Sequence, residues 1–492
     1  MIKVTEKDAV HIKVETDDIG ILSEINDFFT FDVPGAKFMP AYKSRMWDGK
    51  ARLFNMYAQE LPYGLLEYLK EFCEQLEYKL KIDLPMHGDA VSTQYIEKFT
   101  SDLNLHSKGE KITIRDYQIE AVKQGIEKSR SLLLSPTASG KSLIIYALMR
   151  YYQQSNKKQL IIVPTTSLVE QMYGDFQDYA SEVDWQVSEN CHRIYGGKEK
   201  TNEFPITIST WQSIYKYPKA WFEKFDVVYG DEAHLFKAKS LTSIMGKCLT
   251  APYRFGTTGT LDGTKTHRLV LEGCFGSVFN VTTTKELMEA GALAKLKITC
   301  LLLDYPDAEK KSVIKMSYQE EMDFLVSNEK RNTVLTNLSV TQKGNTLVLF
   351  QYVEKHGKIL YERIKNKVAE GRSVYFVYGG TDAEQREQIR ALTETKQDAI
   401  IVASYGTFST GINIRQLHNV IFASPSKSRV RNLQSIGRGL RKGENKLECN
   451  LFDIGDDLSW KSKKNYTLTH MIERIKLYNE EGFNYKMVRI KT

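Results

Sequence analysis

The stretch SLLLSPTASGKSLIIYALMRYY, Ser131 to Tyr152, decides the fold. Its opening is a short apolar run of strand type and its close carries helical periodicity, so the residues between them form a loop from a buried strand into a helix. That context is what a phosphate-binding loop requires: backbone N–H groups and the free amides of the helix start surround phosphate oxygens, and the helix dipole adds favourable charge. Within Ser135, Pro136, Thr137, Ala138, Ser139, Gly140, Lys141 and Ser142, the lysine is placed to neutralise the β- and γ-phosphates of ATP. The Ser142 hydroxyl is placed to take one position on Mg2+. The segment departs from GxxxxGK[ST] at its first position, where Ser135 replaces glycine. The loop amides, the lysine and the hydroxyl all remain.

Outward from this loop the chain alternates β-rich runs with helical stretches, the pattern of a parallel sheet flanked by helices. One set of strand signals runs through residues 131–134, 159–163, 206–209, 227–229 and 253–256. A second runs through 346–350, 373–377, 399–402, 420–422 and 448–452. The interval from about 282 to 332 reads as charged and irregular. The expectation is therefore an α/β chain of two tandem parallel-sheet lobes, residues 106–285 and 286–460. A small α+β module over 1–105 precedes them, and a basic, helical extension over 461–492 packs on the second lobe.

Asp231 and Glu232 open the tetrapeptide DEAH directly after the run FDVVY. A carboxylate at the C-terminal end of a parallel strand stands where magnesium must be held, so Asp231 is the expected metal residue, with Ser142, and Glu232 the residue that orients or deprotonates the attacking water. In the second half, QSIGRGLR places Gln434, Arg438 and Arg441 together, with the two arginines on one face if the segment is helical. Paired guanidinium groups suit a γ-phosphate whose charge shifts as its bond breaks. Lysine and carboxylates from one half and arginines from the other would make a composite ATP site.

Taken in order, these boxes resemble those of the superfamily 2 helicases, and the resemblance runs through both lobes. It implies two RecA-like lobes and a nucleic-acid-dependent ATPase that uses ATP and Mg2+. Arg115 and Gln118 of RDYQ resemble the adenine-reading element. Pro164, Thr165 and Thr166, and Ser209, Thr210 and Trp211, resemble the first-lobe segments that grip the nucleic-acid backbone. Thr258, Gly259 and Thr260 resemble the element coupling hydrolysis to unwinding. In SYGTFSTGIN, Tyr405 and Thr407 resemble contacts to the strand, and Gly411 and Asn413 contacts to the nucleotide.

Residues 37–52, KFMPAYKSRMWDGKAR, hold five basic residues and one acidic, interleaved with aromatics. Lys43, Arg45, Trp47 and Lys50 are candidate DNA contacts on a surface able to stack or wedge. The same stretch reads equally as an amphipathic hairpin with Trp47 and Phe54 in a core and Asp48-Gly49 as its turn. This module, the linker TTTKELMEAG and the closing FNYKM resemble a family of bacteriophage recombination and repair helicases. That resemblance implies branched DNA as partner (forks, displaced-strand loops and Holliday junctions), action as a monomer and the host cytoplasm as location. An RNA helicase, a duplex translocase that does not separate strands, and a binding scaffold with a degenerate ATP site remain the alternatives.

Composition narrows the field less than the motifs do. The 492 residues carry a net charge of only +7, so nucleic-acid binding rests on local clusters of base. Six cysteines form no CxxC pair, which points away from a disulfide framework or zinc ribbon. No segment approaches the length needed to span a membrane.

Overall fold

The computed structural model describes residues 1–196, 203–237, 239–411, 414, 416–424, 426, 428–441 and 446–492. Two compact units divide it: residues 1–135 with 140–282, and residues 136–139 with 283–492.

The first unit is built on seven parallel strands. Across the sheet they run Cys191–Ile194, Ile206–Thr210, Gln159–Val163, Val227–Asp231, Tyr253–Thr258, Arg130–Leu134 and Val278–Asn280. Gln159–Val163 is buried along its whole length, as a central strand covered on both faces must be. One face carries helices Asp116–Lys128, Lys141–Gln154 and Thr166–Tyr179 over a core that includes Ile145, Leu148 and Phe176. The other carries helices Lys239–Lys247 and Lys265–Phe275 over Phe222, Ile244 and Phe275.

The amino-terminal residues belong to this same unit. A mixed sheet, ordered Glu60–Pro62, His11–Glu15, Ile2–Glu6 and Leu80–Asp83, packs helices Ile19–Phe28 and Leu66–Gln75. Leu269, from the helix Lys265–Phe275, completes its apolar core. A Cβ at Gly64 would sit 1.9 Å from the carbonyl oxygen of Glu272, so the two backbones touch, and the Tyr68 hydroxyl donates to Glu272 at 2.7 Å. Arg130, fully buried, donates to the carbonyl of Ala9 and lies 3.9 Å from the centre of the Tyr63 ring. Burial, together with the neighbouring Arg254, pushes its guanidinium down to about 9, against the smaller opposing effects of Tyr63, Glu6 and Asp8.

The second unit repeats the sheet. Its strands run Val374–Val377, Ile400–Ser404, Thr346–Phe350, Asn419–Phe422, Glu448–Asp457, Lys295–Asp304 and Tyr485–Lys491. Numbered in chain order, both sheets read 3-4-2-5-6-1-7. Identical permutations of seven strands establish two tandem lobes of one topology.

Two regions differ from expectation. The interval expected to be irregular contains helices and the ten-residue strand Lys295–Asp304, which pairs with Glu448–Asp457 along its full length. The closing segment is helical only over Tyr466–Glu480, and Tyr485–Lys491 then joins the sheet as an edge strand. The strand Glu448–Asp457, which Lys295–Asp304 joins, buries carboxylates that local sequence marks as exposed. Asp453 pairs with Arg474 at 2.7 Å and Asp456 with Arg331 at 2.8 Å, with Tyr478 and Tyr305 donating to them. Charges paired and hydrogen-bonded in this way can stay inside. Among the described residues no helix is long and apolar enough to cross a membrane.

Candidate ATP site and nucleic-acid-facing segments

The loop after Arg130–Leu134 is anchored at its start by Ser135, whose N–H donates to the Thr258 carbonyl at 2.8 Å. Gly140 precedes the helix Lys141–Gln154 with φ +84°, and a Cβ there would stand 2.2 Å from Gln118 Nε2. The left-handed backbone favours glycine, and any Cβ would also displace the Gln118 amide. Gln118 is buried, and its Oε1 accepts the N–H of Arg115 at 2.9 Å at the start of the helix Asp116–Lys128. The structure thus brings the RDYQ segment against the phosphate loop. Arg115 itself reaches sideways to the Tyr117 hydroxyl at 2.7 Å.

Lys141 folds back over the loop, Nζ to the Ser135 carbonyl at 3.4 Å. Ser139 donates its hydroxyl to the Pro136 carbonyl, and Ala138 takes a left-handed φ of 67°. Asp231 ends the strand Val227–Asp231, separated from the loop's own strand by Tyr253–Thr258. Burial raises the Asp231 carboxyl, and the adjacent Glu232 raises it further; Lys141 and a hydrogen bond from Thr257 (2.8 Å) oppose the shift. Two adjacent carboxylates, one of them buried and costly to ionise, form a donor set that a hard divalent cation relieves, so these residues fit magnesium. The Ser142 hydroxyl lies 2.9 Å from the Tyr179 hydroxyl and would share or leave that partner on taking a metal position.

Glu232 has a φ of 50°, a conformation that non-glycine residues rarely adopt and that collects at functional sites. The strain turns the chain sharply after Asp231 and sets Glu232 Oε2 3.3 Å from His234 Nδ1. That nitrogen also lies 3.1 Å from Thr258 Oγ1. With the Thr258 hydroxyl donating to the Thr260 carbonyl at 3.1 Å, its oxygen is left to accept from His234 in the tautomer that has its proton on Nδ1. His267 Nε2 contacts the His234 carbonyl at 2.9 Å, and its Nδ1 contacts Asp262 at 2.9 Å. The DEAH box and the TGT segment therefore form one buried polar chain, with Gly259 between the two threonines. Sequence reading singled out neither Thr257, Tyr179 nor His267; each comes from a different element from the group it touches.

The other candidates separate by exposure. Pro164, Thr165 and Thr166 stand at the C-terminal end of the central strand. Thr165 caps the helix Thr166–Tyr179, and the Pro164 carbonyl accepts from Gln212. Ser209 is turned inward and donates to the Ile194 carbonyl at 2.9 Å, which corrects the expectation of a hydroxyl offered to a phosphate. Thr210 is buried against Ser213, and Trp211 is partly buried on the core of the Lys239–Lys247 face. In the second unit Tyr405 and Thr407 are also buried, the first bonded to the Ser424 carbonyl and the second to Ser404. Neither is offered to a strand in this conformation. Gly411 ends the helix Tyr405–Gly411, while Asn413 lies outside the described residues.

Gln434 and Arg438 lie on the helix Arg429–Gly439, with the Arg438 guanidinium 5.7 Å from the centre of the Phe408 ring. The helix stops at Gly439, so Arg441 sits in the following turn and not on a shared helical face as expected. Buried Lys446 fixes that turn, donating to the carbonyls of Gly439 and of Arg441, the latter at 2.9 Å. In the amino-terminal stretch Lys43, Arg45 and Lys50 are exposed, while Trp47 is half-buried and donates its indole N–H to the Lys50 carbonyl at 2.8 Å. Phe54 is in the core, as the hairpin reading expects, but Trp47 is outside it and Asp48-Gly49 leads into the strand Lys50–Arg52, whose partner is Thr30–Asp32, so the pair is not the turn of a hairpin.

Residues 1–83 match the family described as "DNA helicase UvsW, N-terminal", residues 111–263 "Type III restriction enzyme, res subunit" and residues 329–443 "Helicase conserved C-terminal domain". The chain is 37% identical over 505 residues to the ATP-dependent DNA helicase uvsW of Enterobacteria phage T4, with 99% of each covered. It is 26% identical over 365 residues to the DNA 3'-5' translocase XPB2 of Sulfurisphaera tokodaii, covering 68% of this chain and 80% of that one. The crystal structure of T4 UvsW is similar with a TM-score of 0.53 at 34% identity, covering 100% of this chain and 99% of that one.

Proposed function

The chain belongs to the UvsW family of ATP-dependent DNA helicases, and we propose that it hydrolyses ATP to unwind and branch-migrate forks, displaced-strand loops and Holliday junctions. The observation that carries this reading is the polar chain from Glu232 through His234 to Thr258 and Thr260, next to the buried Asp231 and with Lys141 folded onto the phosphate loop.

In this reading Gln118 and Arg115 meet the adenine edge, and the amides of residues 135–142 with Lys141 hold the phosphates. Asp231 and Ser142 would hold magnesium, which supplies charge neutralisation on the phosphate oxygens when bound. Glu232 orients the attacking water and takes its proton. Loss of the γ-phosphate changes what Glu232 faces, and the His234–Thr258 contact carries that change to the segment 258–260. Arg438 and Arg441 supply guanidinium charge to the transition state, with Gln434 beside them and Gly411 and Asn413 at the nucleotide. Thr165 and Thr166 are the first-lobe hydroxyls left to bond the DNA backbone without reading bases, since Ser209 and Thr210 are committed inside. Lys43, Arg45 and Lys50 extend the contact onto the amino-terminal module. The assignments of residues 1–105, 106–285, 286–460 and 461–492 to DNA-binding module, ATP-binding lobe, second lobe and extension are part of the same proposal. So are action as a monomer and a place in the host cytoplasm.

Strand separation on a four-way junction, a tailed duplex and an RNA duplex tests it, with Lys141→Ala as the inactive control. The expected result is ATP-dependent resolution of the junction by the wild type and none by the variant. Equal stimulation of ATPase by single-stranded RNA, with no junction unwinding, would favour an RNA helicase and reject the DNA reading.

A further inference from the structure

The strands Thr30–Asp32 and Lys50–Arg52 pair antiparallel and carry residues 33–49 as a protrusion between them. The protrusion has a core of its own. Gly49, at φ +83°, lies under the Tyr42 ring and Ala36, where a Cβ would come within 3.0 Å of the ring and 3.1 Å of the Ala36 Cβ. Its N–H and C=O groups are tied internally, Val33 to Gly49 at 2.8 Å, Met46 to Ala41 at 3.0 Å and Ser44 to Pro40 at 2.8 Å. A loop built in this way holds its tip in a fixed place.

At that tip the apolar groups face outward. Phe38 is 81% exposed and Met46 82%, whereas Trp47 is folded in against Lys50. Large apolar side chains left exposed on one internally bonded protrusion mark a contact surface. Lys37, Lys43 and Arg45 line an open groove of about 570 Å3 with Tyr42, Met46, Trp47 and a single acidic residue, Asp48, and Phe38 follows Lys37 directly in the chain. A groove lined by three cations on the protrusion that also exposes an aromatic ring matches the chemistry of a nucleic acid opened at a junction, which offers both phosphates and unstacked base faces. An acidic or purely apolar protein surface would match only half of this arrangement.

The foot of the protrusion is braced on the ATP-binding lobe. Thr266 donates its hydroxyl to the Asp32 carbonyl at 3.3 Å, and Lys265 Nζ lies 5.2 Å from the centre of the Phe31 ring. Both begin the helix Lys265–Phe275, whose His267 touches the His234 carbonyl. The tip is therefore mounted on the element that borders the DEAH box.

We propose that residues 35–47 are the strand-separating wedge of this helicase. Phe38, with Met46 as a second exposed apolar group of the same protrusion, stacks into the base step at a DNA junction while Lys37, Lys43 and Arg45 hold the phosphates of the parting arms. The proposal rests on the reading of the chain as a DNA helicase. Its test uses the full chain with Phe38→Ala, Phe38→Trp and Phe38→Ala/Met46→Ala, on a fork carrying 2-aminopurine at the junction. Without ATP, the wild type and Phe38→Trp should raise the 2-aminopurine fluorescence on binding and the alanine variants should not. With ATP, the double variant should separate strands at least fivefold more slowly, the lower range for a base stacked on an aromatic ring. Its DNA-independent ATPase should stay within twofold of wild type, which also reports that the exposed positions leave the fold intact. Lys37→Ala/Lys43→Ala should instead weaken fork binding and lower its salt dependence. Unchanged fluorescence and unwinding in the double variant would overturn the wedge and leave the tip as a surface for another protein. Parallel loss of unwinding and of single-strand-stimulated ATPase would overturn it too, placing the tip on the translocation track. Absence of ATP-dependent unwinding by the wild type would reject the helicase reading, and the ATP-free fluorescence would still decide whether the tip opens a junction.

Discussion

Replacing Thr257 by valine swaps one hydroxyl for a methyl group at a position that is 1% exposed, on a strand where both β-branched residues fit. The hydroxyl donates to Asp231 Oδ1 at 2.8 Å and opposes the burial and the Glu232 charge that push this carboxyl up. A hydrogen bond to a charged group contributes roughly 1.5–3 kcal/mol, which corresponds to about ten- to hundredfold in an equilibrium that needs the ionised form. Asp231 without that donor either stays charged at this cost or holds a proton that competes with the metal, and both outcomes weaken magnesium binding. The Mg2+ concentration for half-maximal ATPase at saturating ATP should therefore rise by about ten- to hundredfold in Thr257→Val. Thr257→Ser, which keeps the donor, should recover most of the loss. A magnesium titration of DNA-stimulated phosphate release measures this, with a thermal melt to confirm the fold. A midpoint within twofold of wild type would refute the metal assignment of Asp231.

Glu232→Gln should bind ATP and fork DNA together while phosphate release falls by at least about a hundredfold, the range of general-base loss, and normal turnover would remove Glu232 from that role. Arg441→Ala should lower kcat by up to about 10³–10⁵-fold, the range for a transition-state arginine; a change confined to DNA affinity would count against it. Gly140→Ala should weaken nucleotide binding, since the left-handed backbone costs about 1–2 kcal/mol and the new Cβ displaces Gln118; unaltered affinity for a fluorescent nucleotide would contradict the packing described. His356, buried beside Ser424, has its imidazole pushed from the usual 6.5 down to about 3, first by burial and then by Arg331. A lowered folded value means that its stability contribution is complete above 6.5 and is lost as pH falls toward 3. The second unit should lose about 2 kcal/mol between pH 7 and pH 5 from this group, a slope that denaturant titration should find abolished in His356→Asn.

Some of this was legible because it is local. The phosphate loop announces itself by a strand, a glycine, a lysine and a helix in immediate succession, and the strand 159–163 by an unbroken apolar run. The strand Glu448–Asp457 was visible only over its first half, because DIGDD looks like a charged turn until Arg331 and Arg474 arrive from distant helices to neutralise it. Ser209 and Tyr405 illustrate the converse. A motif fixes which hydroxyl stands at a strand end, while the Ile194 and Ser424 carbonyls decide that it faces inward.

Residue order alone determined the two α/β lobes, the phosphate loop, the acidic box and the arginines that follow, since spacing and periodicity are properties of neighbours along the chain. Tertiary structure decided which donor steadies Asp231, that His234 bridges Glu232 to Thr258, and that Phe38 stands out while Trp47 turns in. Those outcomes depend on which groups the folded chain leaves within reach of one another, where the cost of an unpaired buried group selects among orientations that the local sequence leaves equal.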